Sequence, residues 1–362
     1  MKKLLAAVSL TFLSATTTLI QAQDWQSLGG KIISNNGSRM TFTVSKNGTV
    51  YVAYSNAMNA GLLNVCQFDG QEWKYVGKAD FSQGPANAIA LSADNNGTLY
   101  VAYRDMKRQE KALVQKFDGT EWVLVGKAEV SQGMVNSISL QFDKSNTPWL
   151  ALADQKRGRL SVYKLANDTW TELASPEEHT PGDFVTLAFD HTDIPYICFS
   201  NTAMGGKATV KKWVAGNWLQ VGKTTASDKE AKYTSFALDS KGTPYVAYQD
   251  AFFNNKVMAR KFDGANWVNM GDPVFSLSSN DNVSLAVEPS SGTPYVAFHN
   301  KSNFGDKADV KKIVSGKWVD AGNAAGEGSG AFNTLLFQNS ALYICFNESG
   351  NGATVKKLAA GK

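Results

Sequence analysis

Apolar and small or polar side chains alternate along most of this chain in short runs, and glycine, asparagine and aspartate break the runs at regular intervals. A period of two places successive side chains on opposite faces of an extended strand. The clearest stretch, Ala86 to Lys127, predicts four strands: Ala88 to Ala93, Leu99 to Asp105, Ala112 to Phe117 and Trp122 to Gly126. Asp94-Asn95-Asn96-Gly97-Thr98 joins the first pair and Phe117-Asp118-Gly119-Thr120-Glu121 the last. Glycine and asparagine there accept the positive φ of a tight hairpin, so the unit is a four-stranded antiparallel meander.

The unit recurs. Its second strand reads YVAYSN at Tyr51, YVAYRD at Tyr100, WLALAD at Trp149, YICFSN at Tyr196, YVAYQD at Tyr245, YVAFHN at Tyr295 and YICFNE at Tyr343. Its fourth strand opens on Trp25, Trp73, Trp122, Trp170, Trp218, Trp267 and Trp318, separated by 48, 49, 48, 48, 49 and 51 residues. A unit this small cannot bury its own apolar face and must stack on its copies. The tail supplies three strands after Trp318, and Gln23 to Gly30 supplies a lone fourth strand, so pairing the two closes a ring. The expected fold is an all-β, seven-bladed propeller, with one domain over residues 23–362.

Composition supports a large packed core, with 43% apolar and 19% charged residues. Thirty-one glycines at recurrent turns would break a helical solenoid in every repeat. Residues 1–22 read differently. Lys2 and Lys3 precede an apolar run from Leu4 to Leu13, and Ile20-Gln21-Ala22 precedes an expected cleavage before Gln23. That is the pattern of a secretory signal, too short to span a bilayer, so a secreted or periplasmic, soluble protein without a membrane span is expected.

Cys198 and Cys345 stand where five other second strands carry alanine, and Cys66 lies in a third strand, so three free thiols and no metal site are expected. The net charge of +4 includes Lys2 and Lys3, leaving +2, with basic residues scattered rather than clustered. Nucleic acid is therefore not an expected partner, and no cofactor motif is present. A monomer is expected.

The hairpin turns are uniform across the repeats, whereas the loops between blades and between second and third strands vary. Specificity is expected on that variable face. The second strands end there in Asn56, Asp105, Asp154, Asn201, Asp250, Asn300 and Glu348. A ring gathers these into a circle offering carboxylates for acid–base work on a polysaccharide, although hairpin-end pairing or turn capping explains them better. A less repetitive set is Arg39, Phe184, Tyr233 and Phe332 at the start of the inner strands, with Arg104, His299, Phe252, Phe253 and Phe304 near the loops. Phe184 and Phe332 read as channel plugs. The expected ligand-binding residues are Arg39, Arg104, Tyr233, Asp250, Phe252, Phe253, His299 and Phe304, since aromatic rings beside polar groups suit a sugar or a protein surface.

GTPYVAY at Gly242 to Tyr248 and the phrases FDGxxWxxVG at Phe68 to Gly77 and Phe117 to Gly126 resemble the repeats of secreted bacterial β-propellers, in the neighbourhood of sialidase-like, kelch-like and lectin propellers. The sialidase pattern Ser-x-Asp-x-Gly-x-Thr-Trp is absent and the kelch double glycine is not kept, so the resemblance carries no catalytic residues onto this chain. With variable, pre-organised loops on a rigid ring, the expected function is that of an exported, non-catalytic binding protein for a glycan or surface protein. The alternative is a glycoside hydrolase or lyase using carboxylates at the channel mouth and His299.

Overall fold

The computed structural model describes residues 25–30, 32, 37–126, 129–276, 280–302, 305–322, 326–327, 331–348 and 352–359, so the expected signal segment lies outside the described residues. Seven antiparallel sheets, or blades, follow one another, each running from an inner to an outer strand. Blade two, for example, consists of Ala86–Ala93, Leu99–Asp105, Lys111–Phe117 and Trp122–Leu124. Blade six adds the two-residue strand Gly326–Glu327 against its third strand. Blade seven takes Ala331–Gln338, Ala341–Glu348 and Gly352–Ala359 from the tail, and its outer strand is Gln26–Ser27 from the head. Gln26 stands opposite Lys357 and Ser27 opposite Lys356, so the ring closes as the sequence predicts.

The repeated words have physical jobs. Asp69, Asp118 and Asp263 each accept two backbone N–H bonds in the turn before the outer strand, for instance from Thr120 and Glu121 at 2.8 Å. Asp94 and Asp239 do the same in the turn after the inner strand. These carboxylates hold the hairpins locally and are not free to act as site residues.

The core lies between blades, as seven clusters of buried side chains, one at each junction. Val52, Leu63, Val101, Leu150 and Val246 are among its fully buried residues, each worth about 1.5–3 kcal/mol relative to exposure. Every repeat tryptophan donates its indole N–H to a backbone carbonyl of the preceding blade. Trp73 reaches Leu28 at 2.9 Å, Trp122 reaches Val76 at 2.8 Å, and Trp170, Trp218, Trp267 and Trp318 repeat the bond. Trp25 completes the circle by reaching Ala321 at 2.9 Å.

At the centre the inner strands enclose a channel of about 540 Å3. Neighbouring inner strands belong to different sheets and are joined through side chains: Ser139 accepts from Leu187 N–H, Ser235 from Leu285 N–H and Ser284 from Leu335 N–H at 2.8–2.9 Å. Serine hydroxyls thus tie neighbouring inner strands at the junctions of blades three and four, five and six, and six and seven. Cys66, Cys198 and Cys345 are buried and free, and burial pushes each thiol up to about 12.

Candidate functional site

Each inner strand starts on the variable face with a bulge that breaks its pairing to the second strand. Among the described residues, five of these bulges place a non-glycine residue in the left-handed conformation: Arg39 (φ 52°), Ala88 (45°), Phe184 (51°), Tyr233 (50°) and Asn282 (50°). Each such backbone costs about 1–3 kcal/mol and re-aims its side chain at the rim of the channel. Strain carried by large side chains around one opening is the first mark of a site.

Phe184 of blade four and Tyr233 of blade five pack together there, with ring centroids 5.0 Å apart and planes inclined by 43°. Thr234 Oγ1 donates to the Phe184 carbonyl at 3.0 Å and ties the two bulges. Phe184 is half-buried against Tyr233, which makes it part of an aromatic ledge as well as a wall of the opening.

Beside the ledge, Asp281 on the inner strand of blade six faces His299 on the second strand in direct register. His299 Nδ1 lies 2.8 Å from Asp281 Oδ1, and Lys301 Nζ lies 2.5 Å from Oδ2. Burial opposes charge on the Asp281 carboxyl, but the bonds from His299 and Lys301 outweigh it and hold the group at about 2. The Tyr233 hydroxyl is pushed up, first by burial and then by the Asp281 carboxylate. Asp183, next to Phe184, goes the opposite way from Asp281, raised by burial with one compensating bond from Phe184 N–H. Two carboxyl groups of opposite tendency therefore flank one tyrosine.

His299 bonds Asp281, and the Asp281 carboxylate is near enough to raise the Tyr233 hydroxyl. Asp250, Phe252 and Phe253 meet on the neighbouring loop of blade five, where Asp250 is buried and its Oδ1 accepts from Phe252 N–H at 2.9 Å and Phe253 N–H at 3.3 Å. The two phenylalanines are exposed, in edge contact at 5.2 Å, with Lys229 Nζ 5.7 Å from the Phe252 ring. Arg39 is exposed at the rim of blade one. Arg104 instead braces blades two and three, donating to the Val135 carbonyl at 3.1 Å and pairing with Glu110 at 3.4 Å. Phe304 lies outside the described residues, as does the side chain of Phe332.

Four members of the polar circle, Asn56, Asp105, Asp154 and Asp250, cap the loops that follow them, whereas Asn201 donates to Glu177 at 2.9 Å, Asn300 donates to Asp309 at 2.6 Å and Glu348 pairs with Lys356. Asp105 accepts from Lys107 N–H at 2.8 Å, Asp154 from Arg157 N–H at 3.1 Å and Asn56 from Met58 N–H at 3.1 Å. Capping needs an acceptor oxygen and no charge, so Asn56 serves in blade one as aspartate does at 105, 154 and 250. No group of three or more metal-ligating side chains converges among the described residues, and no described helix is long and apolar enough to cross a membrane.

Sequence reading missed Asp183, Asp281 and Lys301. The signal for Asp281 was its register with His299, which appears only once the bulge between Asp281 and Ser284 is placed. It also missed that Met58, Met106, Met134 and Met204 are exposed on the same face as Phe252, an adaptable apolar rim.

No protein-family model and no curated protein sequence matches the chain. Solved structures resemble it. A polysaccharide lyase of a new family, an ulvan lyase, superposes with a TM-score of 0.61 at 10% identity, covering 93% of this chain and 95% of that one. The SapL1 lectin, in complex with α-methyl fucoside, gives 0.56 at 16% identity over 80% of this chain and 98% of the lectin. A Hadza microbial sialidase gives 0.50 at 13% identity over 86% and 73%. At these identities the likeness is one of fold: the chain is a seven-bladed propeller similar to lectin, sialidase and polysaccharide-lyase propellers.

Proposed function

We propose that the protein is an exported glycan-binding propeller whose ligand sits at the channel mouth over blades four to six. The observation that carries this reading is the Phe184–Tyr233 ledge, held on two strained bulges beside the Asp281–His299–Lys301 network. Apolar rings offer a sugar a face to stack on, and the adjacent charged groups offer its hydroxyls fixed partners. Phe252 and Phe253 extend the apolar surface outward for further residues of a chain. Lectins among the structures of similar fold support the same ligand class.

A glycan array with the wild type and with Phe184→Ala and Tyr233→Ala tests this. Binding that both variants lose supports the reading, and binding that neither alters overturns it.

The second reading, turnover of a polysaccharide, is favoured by one observation: Asp183 and Asp281 flank Tyr233 with opposite protonation tendencies. Mass spectrometry of array hits after long incubation separates the two. Shortened or unsaturated products establish catalysis, and intact ligand establishes binding alone.

A further inference from the structure

Ten large apolar side chains are exposed among the described residues, and six of them, Met58, Met106, Met134, Met204, Phe252 and Phe253, stand on the face of the channel mouth. The other four, Leu124, Leu219, Val314 and Val319, are scattered over the outer two strands of blades two, four and six. Five of the six sit on loops between second and third strands. Met134 lies against the corresponding loop of blade three, where its carbonyl accepts from Gln155 N–H at 3.0 Å. The tips belong to separate blades, so they surround the opening and do not make one groove. Met58 and Phe252 are 75% and 66% exposed, so most of each side chain stands in water.

The loops hold these side chains outward. Asn56, Asp105 and Asp250 accept from the backbone N–H of Met58 at 3.1 Å, Lys107 at 2.8 Å and Phe252 at 2.9 Å. Gly205 ends the Thr202–Met204 turn in the left-handed conformation at φ 70°. Charge on the same loops is one-sided. Between the second and third strands of blades one to five, the charged residues are Lys107, Arg108, Glu110, Lys156 and Arg157. Glu110 pairs with Arg104 at 3.4 Å, Arg108 with Glu129 at 3.0 Å and Arg157 with Glu172 at 2.8 Å. Lys107 and Lys156 are exposed and make no ion pair among the described residues. The protruding tips thus offer apolar side chains and unpaired ammonium groups, and their single acid is already paired.

We propose that this crown of loop tips docks on an anionic lipid surface, with the methionines and phenylalanines entering the headgroup region and Lys107 and Lys156 meeting lipid phosphates. A planar surface touches tips of five blades at once, where a protein partner would need a matching relief around the whole opening. Unbranched methionine adapts to mobile lipid chains, and lysine carries its charge on a long apolar stem that lies along them. Docking in this orientation turns the channel mouth toward the headgroups. The proposal requires no sugar and stands apart from the reading of the mouth.

The test is flotation of the protein with vesicles of phosphatidylcholine, alone or mixed equally with phosphatidylglycerol, in sugar-free buffer. The wild type is expected to float with the mixed vesicles and to bind phosphatidylcholine alone about tenfold less. Met58→Ser, Met204→Ser and Phe252→Ser together are expected to abolish flotation, whereas Met58→Leu, Met204→Leu and Phe252→Leu together keep it. Lys107→Glu with Lys156→Glu is expected to lower binding to the mixed vesicles to the level of phosphatidylcholine alone. A wild type that floats with neither vesicle overturns the proposal, whatever protein or sugar the face captures. Flotation left unchanged by the serine set or by the glutamate pair overturns it too. A concentration-dependent dimer in light scattering that the serine set breaks, without flotation, assigns the face to a second copy of the chain and also overturns it.

Discussion

A Cβ placed on Gly126 would lie 2.7 Å from Cδ1 of Trp170, the tryptophan of the next blade, whose indole N–H bonds the Val125 carbonyl at 3.0 Å. The Val-Gly pair that closes the repeat is thus a socket: one residue presents the acceptor and the other leaves room for the ring. Gly126→Ala is expected to cost about 2 kcal/mol or more, combining a forbidden φ of 82° with the clash. Gly119→Ala, at φ 104° with open space around it, is expected to cost about 1 kcal/mol. Urea unfolding of the two variants measures the difference, and equal costs would refute the socket.

Trp122→Phe keeps most of the buried ring but strands the Val76 carbonyl. A loss of about 1–3 kcal/mol is expected, the penalty for an unmet buried acceptor. Thermal unfolding checks it; an unchanged midpoint would show that the bond adds nothing.

Asp250 separates capping from chemistry. Asp250→Asn is expected to leave stability within about 0.5 kcal/mol, because Asn56 caps the equivalent loop of blade one in the same way. Asp250→Ala is expected to cost about 1–2 kcal/mol, as other lost caps do, and to misplace Phe252 and Phe253. Any glycan turnover should survive the asparagine change, and its loss would restore the carboxylate circle as a catalytic candidate.

The two carboxyls beside Tyr233 should leave opposite marks on stability against pH. Asp281, held at about 2 against an ordinary value of 3.8, contributes stability above pH 4 that disappears as pH falls toward 2. Asp281→Asn is expected to remove about 2 kcal/mol at pH 7 and to flatten that acid limb. Asp183 is raised by burial, so its ionisation costs stability as pH climbs above its unfolded value. Asp183→Asn is expected to stabilise the protein at neutral pH and to lose that advantage in acid. Denaturation midpoints between pH 2 and pH 7 test both, and parallel curves for the two variants would contradict the assignment.

Much of the ring was legible because its determinants are local. Asp118 and Gly119 specify a hairpin whatever surrounds them, and the tryptophan spacing counts the blades. The mouth was legible only in part. Tyr233 and His299 stood out as aromatic or polar departures from the repeat, but the partner that holds His299 is Asp281. That residue's facing partner depends on a bulge, and one inserted position reverses which side chains share a face. Asp250 shows the converse: its type invited a chemical reading, while its oxygen was committed to two backbone amides two and three residues away.

The bond from Trp25 to Ala321, together with the pairing of Gln26 with Lys357, has a consequence for biosynthesis. A ribosome emits the first of these partners more than three hundred residues before the last, so blades one to six can fold during translation while the seventh waits with a bare edge. A nascent chain stalled before Lys357 would therefore carry six finished blades and an unlatched seam, vulnerable to proteases at that seam alone.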